Sequence, residues 1–527
     1  MSEETQKVID SLITKQTLLH NFPFTPRGNQ EWLLDQLLTH LNDPNKKFIV
    51  IQAPTGAGKS AISVALARCF KKSFILTANK FLQDQYERDF GHLMKSLKGR
   101  SNYSCYVTKG KNCAEAPCRA SASGRASCGK DVKCQYHIER DAAATSDMAL
   151  MNFSAGIAYL NYTPFFPKRD ILIIDEAHLL ESQLTGFVGF TLDDNDLIEV
   201  GLLDRGQYLP KYDDVGQYIH FLKNMHMKAT VAVAGGKKNG GAIIDKLESY
   251  ERKLNLLVQE LESNPANLVM THGFHNQGYL NKITFQPLNV SRYSEGLVFK
   301  HADKVIMLSA TILNAKSFAR SLGIPEESFV YIDVPSTFPK ENRPILVPAI
   351  ENFNQSNLQA NIPQIVKVIE AIASRHPDVK GIIHVPSYQL ANDLYSRLHH
   401  LQNRLIYPEK STDQQKAVYV HEVDPRPTIL LSPSMAEGVD LKDDLSRFQI
   451  IVKVPYPSLG DRLVKARMDN DRSWYPTQTL LKLVQSYGRS VRTETDHAVT
   501  YVLDGNFHRL VDQNRHILPK WFLEAIK

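Results

Sequence analysis

The chain has 527 residues, of which 43% are hydrophobic and 22% are charged, and its formal net charge is +6. A single hydrophobic core stops growing at about 250 to 300 residues, which excludes a one-domain protein. No apolar run reaches the roughly 20 residues that a membrane-spanning helix needs, and the N-terminal segment MSEETQKVID is polar and acidic, unlike a secretory signal. We therefore expect a multidomain protein that stays inside the cell and has no membrane partner.

Short apolar runs, rich in β-branched residues, recur along the chain and end at polar or glycine-containing segments. They are residues 48–52, 171–174, 305–308, 381–385, 428–431, 449–454 and 499–503. Continuous apolar runs are typical of strands that helices cover on both faces of a parallel sheet. Helical patterns lie between them, most clearly at residues 30–41, 60–70 and 363–374, so the alternation predicts an α/β fold with two parallel sheets.

Two segments break this alternation and are interpreted as insertions into the first sheet domain. Residues 100–140 are rich in Cys, Gly and Ser, with too few large apolar side chains for a core of their own. Five of the six cysteines lie there, and in a reducing cytosol such a group favours a metal site over disulfides. Residues 185–290 are mostly helical in pattern, most clearly at 243–261.

A phosphate-binding loop is predicted directly after the first strand, where the sequence reads APTGAGKS and a helical pattern follows. Its residues are Ala53, Pro54, Thr55, Gly56, Ala57, Gly58, Lys59 and Ser60. The two glycines allow backbone N–H groups to close around phosphate oxygens at a helix N-terminus. Lys59 is expected to reach the β and γ phosphates of ATP, and the Ser60 hydroxyl to ligate Mg²⁺.

An acidic pair, Asp175 and Glu176, follows the strand at 171–174. Beside a phosphate-binding loop, this pair supplies what hydrolysis requires. Asp175 is expected to hold Mg²⁺, and Glu176 to orient and deprotonate the attacking water.

A third element, QSYGRSVR at residues 485–492, contains two arginines three positions apart. We predict that Arg489 and Arg492 lie on one face of a helix, so that both guanidinium groups address one target. Such arginines stabilise the charge that develops on a transferring phosphoryl group.

Taken together, these segments resemble the motifs of superfamily 2 helicases, and in particular the XPD/DinG family of iron-sulfur helicases. The resemblance runs along nearly the whole chain and keeps the family's order. The matching segments are residues 24–30, 53–60 (motif I), 77–85 (Ia), 175–178 (II), 309–311 (III), 384–388 (IV), 436–440 (V) and 485–492 (VI).

The resemblance implies roles for further residues. Additional nucleotide contacts are implied for Arg27, Gln30, His178, Gly438 and Asp440. Gln485 would join the two arginines in catalysis, and segment 77–85, with Gln83 and Gln85, would face DNA.

A metal cluster is also implied, because residues 98–105 (KGRSNYSC) resemble the approach to the first cluster ligand in DinG-like proteins. Cys134 resembles the last ligand. The implied cofactor is a 4Fe-4S cluster on Cys105, Cys118, Cys128 and Cys134, with Cys113 as a spare that can replace Cys118 or Cys128. Zinc is the physical alternative, since four thiolates suit both metals.

The implied fold is α/β, with two RecA-like motor domains and two insertions in the first. The expected boundaries are 1–99, 141–184 and 291–335 for motor domain 1, 100–140 for the iron-sulfur insertion, 185–290 for a helical arch-like insertion and 336–527 for motor domain 2.

The implied function is that of a compact bacterial or phage ATP-dependent DNA helicase in the cytoplasm. It would move 5′ to 3′ on single-stranded DNA as a monomer and unwind forked DNA, or an RNA–DNA hybrid, in replication, repair or recombination. Two alternatives stay open from the residues alone: a nucleic-acid-stimulated ATPase that remodels RNA or protein–nucleic acid complexes, and a non-catalytic single-strand-binding protein.

Overall fold

The structure is a computed structural model that describes residues 12–116, 118, 134–212, 214–236, 242–354, 356–433, 441 and 443–527. Its frame consists of two parallel sheets and one antiparallel sheet. Among the helices in these ranges, none combines the length and the apolar character that crossing a bilayer requires.

The first sheet is a seven-stranded parallel sheet. Its strands are β1 (Phe48–Gln52), β2 (Ser73–Thr77), β3 (Lys95–Ser96), β4 (Met148–Asn152), β5 (Arg169–Asp175), β9 (Ala302–Ser309) and β10 (Phe329–Asp333). They lie in the order β10-β1-β9-β5-β2-β4-β3, so β1 and β5, which lead to the predicted phosphate-binding loop and acidic pair, flank β9.

Both faces of the first sheet are buried, as the apolar runs predict. In β1, Phe48 and Val50 belong to the core on one face, whereas Ile49 and Ile51 belong to the core on the other. This alternation follows from the two-residue period of a strand, and helices cover each face.

The second parallel sheet has six strands and forms the other half of the frame. Its strands are β11 (Ile345–Leu346), β12 (Gly381–Val385), β13 (Leu405–Ile406), β14 (Ile429–Pro433), β15 (Phe448–Ile451) and β16 (Val499–Val502). The order is β11-β16-β15-β12-β14-β13. The predicted strand at 449–454 ends at Ile451, three residues early.

The helices that cover the first sheet, numbered in chain order, are α1 (Lys15–Asn21), α2 (Gly28–Leu41), α3 (Lys59–Arg68), α4 (Lys80–Phe90), α5 (Gln135–Thr145), α6 (Phe153–Tyr162), α7 (Leu180–Val188), α11 (Ser291–Leu297) and α12 (Ala315–Ser321). Those of the second half are α13 (Leu358–Arg375), α14 (Tyr388–Tyr395), α15 (Gln414–Val423), α16 (Arg462–Asn470), α17 (Trp474–Tyr487), α18 (Asn506–Gln513) and α19 (Lys520–Leu523).

The insertion at residues 185–290 contains an antiparallel sheet that the sequence patterns did not predict. It has three helices, α8 (Asp194–Glu199), α9 (Val215–Gly236) and α10 (Ala242–Ser263), and three strands, β6 (Phe190–Asp193), β7 (Leu268–Phe274) and β8 (Leu280–Pro287). The strand order is β6-β8-β7. This unit is built around a hydrophobic core of its own.

Candidate active site

The phosphate-binding loop lies between β1 and α3, as predicted. Gly56 and Gly58 have φ angles of 82° and 76°, a left-handed conformation that glycine adopts without a steric penalty. A Cβ atom on Gly56 would lie 2.2 Å from the Arg492 carbonyl oxygen, and one on Gly58 would lie 2.2 Å from Gln30 Nε2. The backbone conformation therefore favours glycine at both positions, and the approach of the Arg492 backbone requires it at Gly56 as well.

The segment before α2 supports the loop from one side. The Gln30 side chain donates a hydrogen bond to the Ala57 carbonyl (2.9 Å) and accepts one from the Arg27 backbone N–H (2.9 Å). Gln30 therefore contacts the phosphate-binding loop directly, and Arg27 contacts Gln30 through its backbone.

The acidic pair lies at the carboxyl end of β5. Asp175 is buried, and its Oδ2 accepts a hydrogen bond from the Tyr86 hydroxyl at 2.8 Å. Glu176 has a left-handed backbone with a φ of 53°, and its N–H donates to Asp175 Oδ1. The strained residue turns the chain sharply at the end of the strand.

The pKa values of the two carboxyl groups are shifted in opposite directions. Burial, reinforced by the charge of Glu176, raises the pKa of Asp175. Burial also acts to raise the pKa of Glu176, but the positive groups of Lys59, His178 and Arg489 outweigh it and lower that pKa. Glu176 is therefore the group that stays ionised, as a base for water activation must be.

One cleft of about 300 Å³ joins the two halves of the molecule at this point. From the first half it is lined by Thr55, Gly56, Gly58, Lys59, Ser60, Asp175, Glu176 and His178, and from the second by Gln485, Arg489 and Arg492. The predicted loop, acidic pair and arginines are brought together across it.

The prediction that the two arginines share a helix face is wrong. Helix α17 ends at Tyr487, and Gly488, whose N–H bonds to the Val484 carbonyl, caps it. A Cβ atom on Gly488 would lie 2.7 Å from Thr55 Oγ1, so a glycine is needed where the second half approaches the phosphate-binding loop. Arg489 and Arg492 reach the cleft from the turn that follows.

A chain of polar contacts connects the acidic pair with the second half. Nδ1 of His178 lies 3.3 Å from Glu176 Oε2 and 2.8 Å from Ser309 Oγ. Ser309 Oγ accepts from the Thr311 N–H at 3.0 Å, and Gln485 donates to Thr311 Oγ1 at 3.1 Å. Segment 309–311 therefore contacts both sides of the cleft.

Sequence reasoning missed two residues that position this site. The Gln52 side chain accepts the N–H groups of Ile312 and Leu313 at 2.7 and 2.8 Å, and Leu313 has a φ of 61°. A polar residue at the end of the buried run FIVIQ was a signal for Gln52. For Tyr86 the local sequence contained none.

The structure places the other predicted motif residues in different surroundings. Gln83, expected to face DNA, is buried and binds Ser96, Leu97 and Asn152, because it fills a polar gap between α4 and the strand edge. That expectation is wrong for Gln83. Gln85 lines the nucleotide cleft. His384 is buried against Gln449. Gly438 and Asp440 lie outside the described residues.

Four cysteines, Cys105, Cys113, Cys118 and Cys134, line one small cavity together with Arg100 and Tyr136. Burial raises the pKa of Cys113, and the neighbouring thiols of Cys134, Cys105 and Cys118 raise it further. Within the described ranges, no three or more His, Cys, Asp or Glu side chains are arranged as a formed metal site. Cys128 lies outside those ranges.

Two RecA-like parallel sheets that meet at a cleft with a phosphate-binding loop define the class of protein, a two-domain nucleotide-binding motor fold. The comparisons with known proteins agree. Residues 369–525 match the family described as helicase C-terminal domain, and residues 23–231 match the one described as type III restriction enzyme, res subunit.

The similarity to particular proteins extends over most of the chain. The ATP-dependent DNA helicase YoaA of Haemophilus influenzae is 23% identical, with 89% of each chain covered, and that of Escherichia coli K12 is 21% identical, with 86% of this chain and 88% of the relative covered. A solved XPD helicase structure has the same fold, with a TM-score of 0.59 at 14% identity over 98% of each chain. The chain is thus similar in sequence to ATP-dependent DNA helicases and in fold to XPD.

Proposed function

We propose that this protein is an ATP-dependent DNA helicase that moves 5′ to 3′ on single-stranded DNA and unwinds the duplex ahead of it. One observation supports this most strongly. The cleft combines Lys59, Asp175 and Glu176 of the first sheet with Arg489 and Arg492 of the second half. Two relatives that match most of the chain are named ATP-dependent DNA helicases, and another is named a probable ATP-dependent helicase.

The division of labour in the cleft follows from its geometry. Lys59 and the loop N–H groups bind the phosphates, and Glu176, kept ionised, takes a proton from the attacking water. Arg489 and Arg492 approach from the other side, so an intact γ phosphate is the group that both halves can hold. Its loss on hydrolysis releases one half from the other, which is the shift that a motor needs.

Ser60 and Asp175 are the residues that would hold Mg²⁺, which neutralises charge on the β and γ phosphates when bound. Both lie in the cleft, and burial of Asp175 beside Glu176 creates the local excess of negative charge that a cation relieves.

We also propose a 4Fe-4S cluster in the segment at residues 100–140. Cys105, Cys113, Cys118 and Cys134 share one cavity, which supports Cys113 as a candidate ligand in addition to the set of Cys105, Cys118, Cys128 and Cys134. Clustering thiols raises the pKa of Cys113, and metal binding would relieve that cost while supplying folding energy. We also propose the domain boundaries that the sequence analysis gives.

Two assays test this proposal. The first measures strand displacement on duplexes with a 5′ or a 3′ single-stranded tail, and the second measures ATP hydrolysis with single-stranded DNA or RNA added. We expect displacement of the duplex with the 5′ tail. Lys59→Ala and Glu176→Gln should each lower the rates of strand displacement and ATP hydrolysis at least about 100-fold. Lys71→Ala and Glu409→Gln, at exposed positions, are the matched controls. Unwinding that survives Lys59→Ala or Glu176→Gln would refute this cleft as the motor site, and no displacement by the wild type would refute the helicase. Stimulation by RNA alone would favour an RNA-remodelling ATPase.

A further inference from the structure

Helix α16 belongs to the second half but packs against β7, an edge strand of the insertion sheet. Arg467 on this helix is 9% exposed. A guanidinium stays charged at any physiological pH, so one buried at the junction of separate units needs partners for its donors.

The partners of Arg467 all lie on the far side of this junction. Nε donates to the Leu288 carbonyl at 3.1 Å, and Nη2 donates to Thr185 Oγ1 at 2.8 Å and to the Pro287 carbonyl at 3.4 Å. Nη1 lies 3.3 Å from the Glu181 carboxylate. Each of the three nitrogens is thus engaged.

These partners belong to two different elements. Glu181 and Thr185 are on α7, which starts at Leu180, four residues after Glu176 of the acidic pair. Pro287 is the last residue of β8, the central strand of the insertion sheet, and Leu288 follows it. One side chain of the second half therefore holds both the helix next to the nucleotide site and the insertion.

On its own side, Arg467 is close in the chain to the other wall of the cleft. The Arg467 guanidinium lies 5.6 Å from the centre of the Trp474 ring, and Trp474 begins α17, the helix that carries Gln485. A displacement of α17 relative to the phosphate-binding loop must move α16 with it, since the two helices pack together.

We propose that Arg467 is a positioning residue that transmits closure of the nucleotide cleft to the insertion, so that each ATP turnover moves the insertion sheet with the second half. This rests on the proposed helicase function. A flexible ammonium cannot reproduce the planar fork that reaches Thr185, Leu288 and Glu181 at once, so Arg467→Lys keeps the charge but loses the coupling.

The first experiment measures base pairs opened per ATP hydrolysed, with saturating 5′-tailed duplex. We expect Arg467→Lys to lower this ratio about tenfold, while the KM for ATP and the DNA-stimulated kcat stay near wild type. Arg472→Lys, at an exposed position on the loop after α16, is the matched control. Thr185→Val removes one hydrogen bond of Arg467 and the bond from the Thr185 hydroxyl to the Glu181 carbonyl. It is expected to give a smaller loss in the same direction.

Hydrogen exchange separates failure of this inference from failure of the helicase proposal, because it requires no unwinding. In Glu176→Gln protein, ATP with Mg²⁺ should slow amide exchange in β7 and β8, and adding Arg467→Lys should abolish that response. Two results would overturn the coupling role. One is an equal slowing of amide exchange with and without Arg467→Lys, and the other is a fall of unwinding in proportion to ATP hydrolysis. If Arg467→Lys lowers the melting temperature sharply, Thr185→Val decides by the same two readouts.

Discussion

Two adjacent carboxylates, Asp175 and Glu176, show how position rather than residue type sets chemistry. Both follow a buried strand, yet burial leaves Asp175 the more readily protonated, while Lys59, His178 and Arg489 hold Glu176 ionised. In the proposed function Glu176 is the base and Asp175 holds the metal, which is the combination that ATP hydrolysis requires.

This difference predicts the pH dependence of the Mg²⁺ requirement. Burial and the charge of Glu176 raise the pKa of Asp175 to about 6, and only the carboxylate form binds the metal. The Mg²⁺ concentration for half-maximal ATP hydrolysis should therefore rise about tenfold as the pH falls from about 7.5 to about 5. This concentration is measured by titrating Mg²⁺ in steady-state ATP hydrolysis assays at each pH.

Tyr86→Phe serves as the internal comparison for that titration. It removes a hydrogen bond that favours the charged form of Asp175, so the rise should begin at a higher pH than in wild type. A Mg²⁺ requirement that does not change with pH, or a shift of the Tyr86→Phe curve to lower pH, would contradict the assignment.

Gly56→Ala tests the close approach of the two halves. The new methyl group would lie 2.2 Å from the Arg492 carbonyl, so we expect DNA-stimulated ATP hydrolysis to fall at least about 100-fold. Gly278→Ala is the matched control, since Gly278 has a φ of 86° but no atom within 4 Å of its Cβ position. Both substitutions cost about 1 to 2 kcal/mol of left-handed strain. An equal loss of activity in the two variants would assign the effect to strain alone.

The residues that sequence reasoning predicted are those whose chemistry is written in a short local string. Lys59 follows two glycines in one loop, and Asp175 and Glu176 end one strand. Tyr86 and Gln52 could not be predicted in these roles, because Tyr86 meets Asp175 89 positions away and Gln52 meets Ile312 260 positions away. Only the folded sheet brings those pairs together.

At the level of elements, burial decided what the sequence predicted. Strands β1 and β12 are buried at every position and were predicted with their observed bounds. In contrast, β7 is half-buried at its first six positions and exposed at Phe274, and it shows neither a continuous apolar run nor a clean alternation. The insertion was therefore predicted as mostly helical, and its three-stranded sheet was missed. The helix expected to carry Arg489 and Arg492 ended early because Gly488 terminates it.

The cysteine-containing segment gives a prediction at the same scale. If Cys113 is a cluster ligand, Cys113→Ser should lower the iron and acid-labile sulfide of anaerobically purified protein, because a three-thiolate set holds the cluster poorly. Cys128→Ser and the distant Cys69→Ser should retain both. Metal analysis of the same samples distinguishes zinc. Iron retained in Cys113→Ser and lost in Cys128→Ser would restore the ligand set expected from sequence.

For the whole molecule, the two sheets act through the cleft between them. The first contributes the phosphate-binding loop and the acidic pair, the second contributes the arginines, and segment 309–311 touches both through Ser309 and Thr311. Sequence order and resemblance predicted this pairing of halves. The approach of Arg492 and Gly488 to the loop was not predictable, because it depends on how two separately folded cores dock.

The most direct test of the two-sided cleft is strand displacement of a 5′-tailed duplex by wild type and Arg489→Ala, with nucleotide binding measured on the same preparations. Wild type should separate the strands in the presence of ATP. Arg489→Ala should still bind ATP, because the loop with Lys59 continues to bind the phosphates. It should displace strands at least about 1,000-fold more slowly, because a charge that stabilises the transition state is lost. Displacement by Arg489→Ala at the wild-type rate would contradict the account.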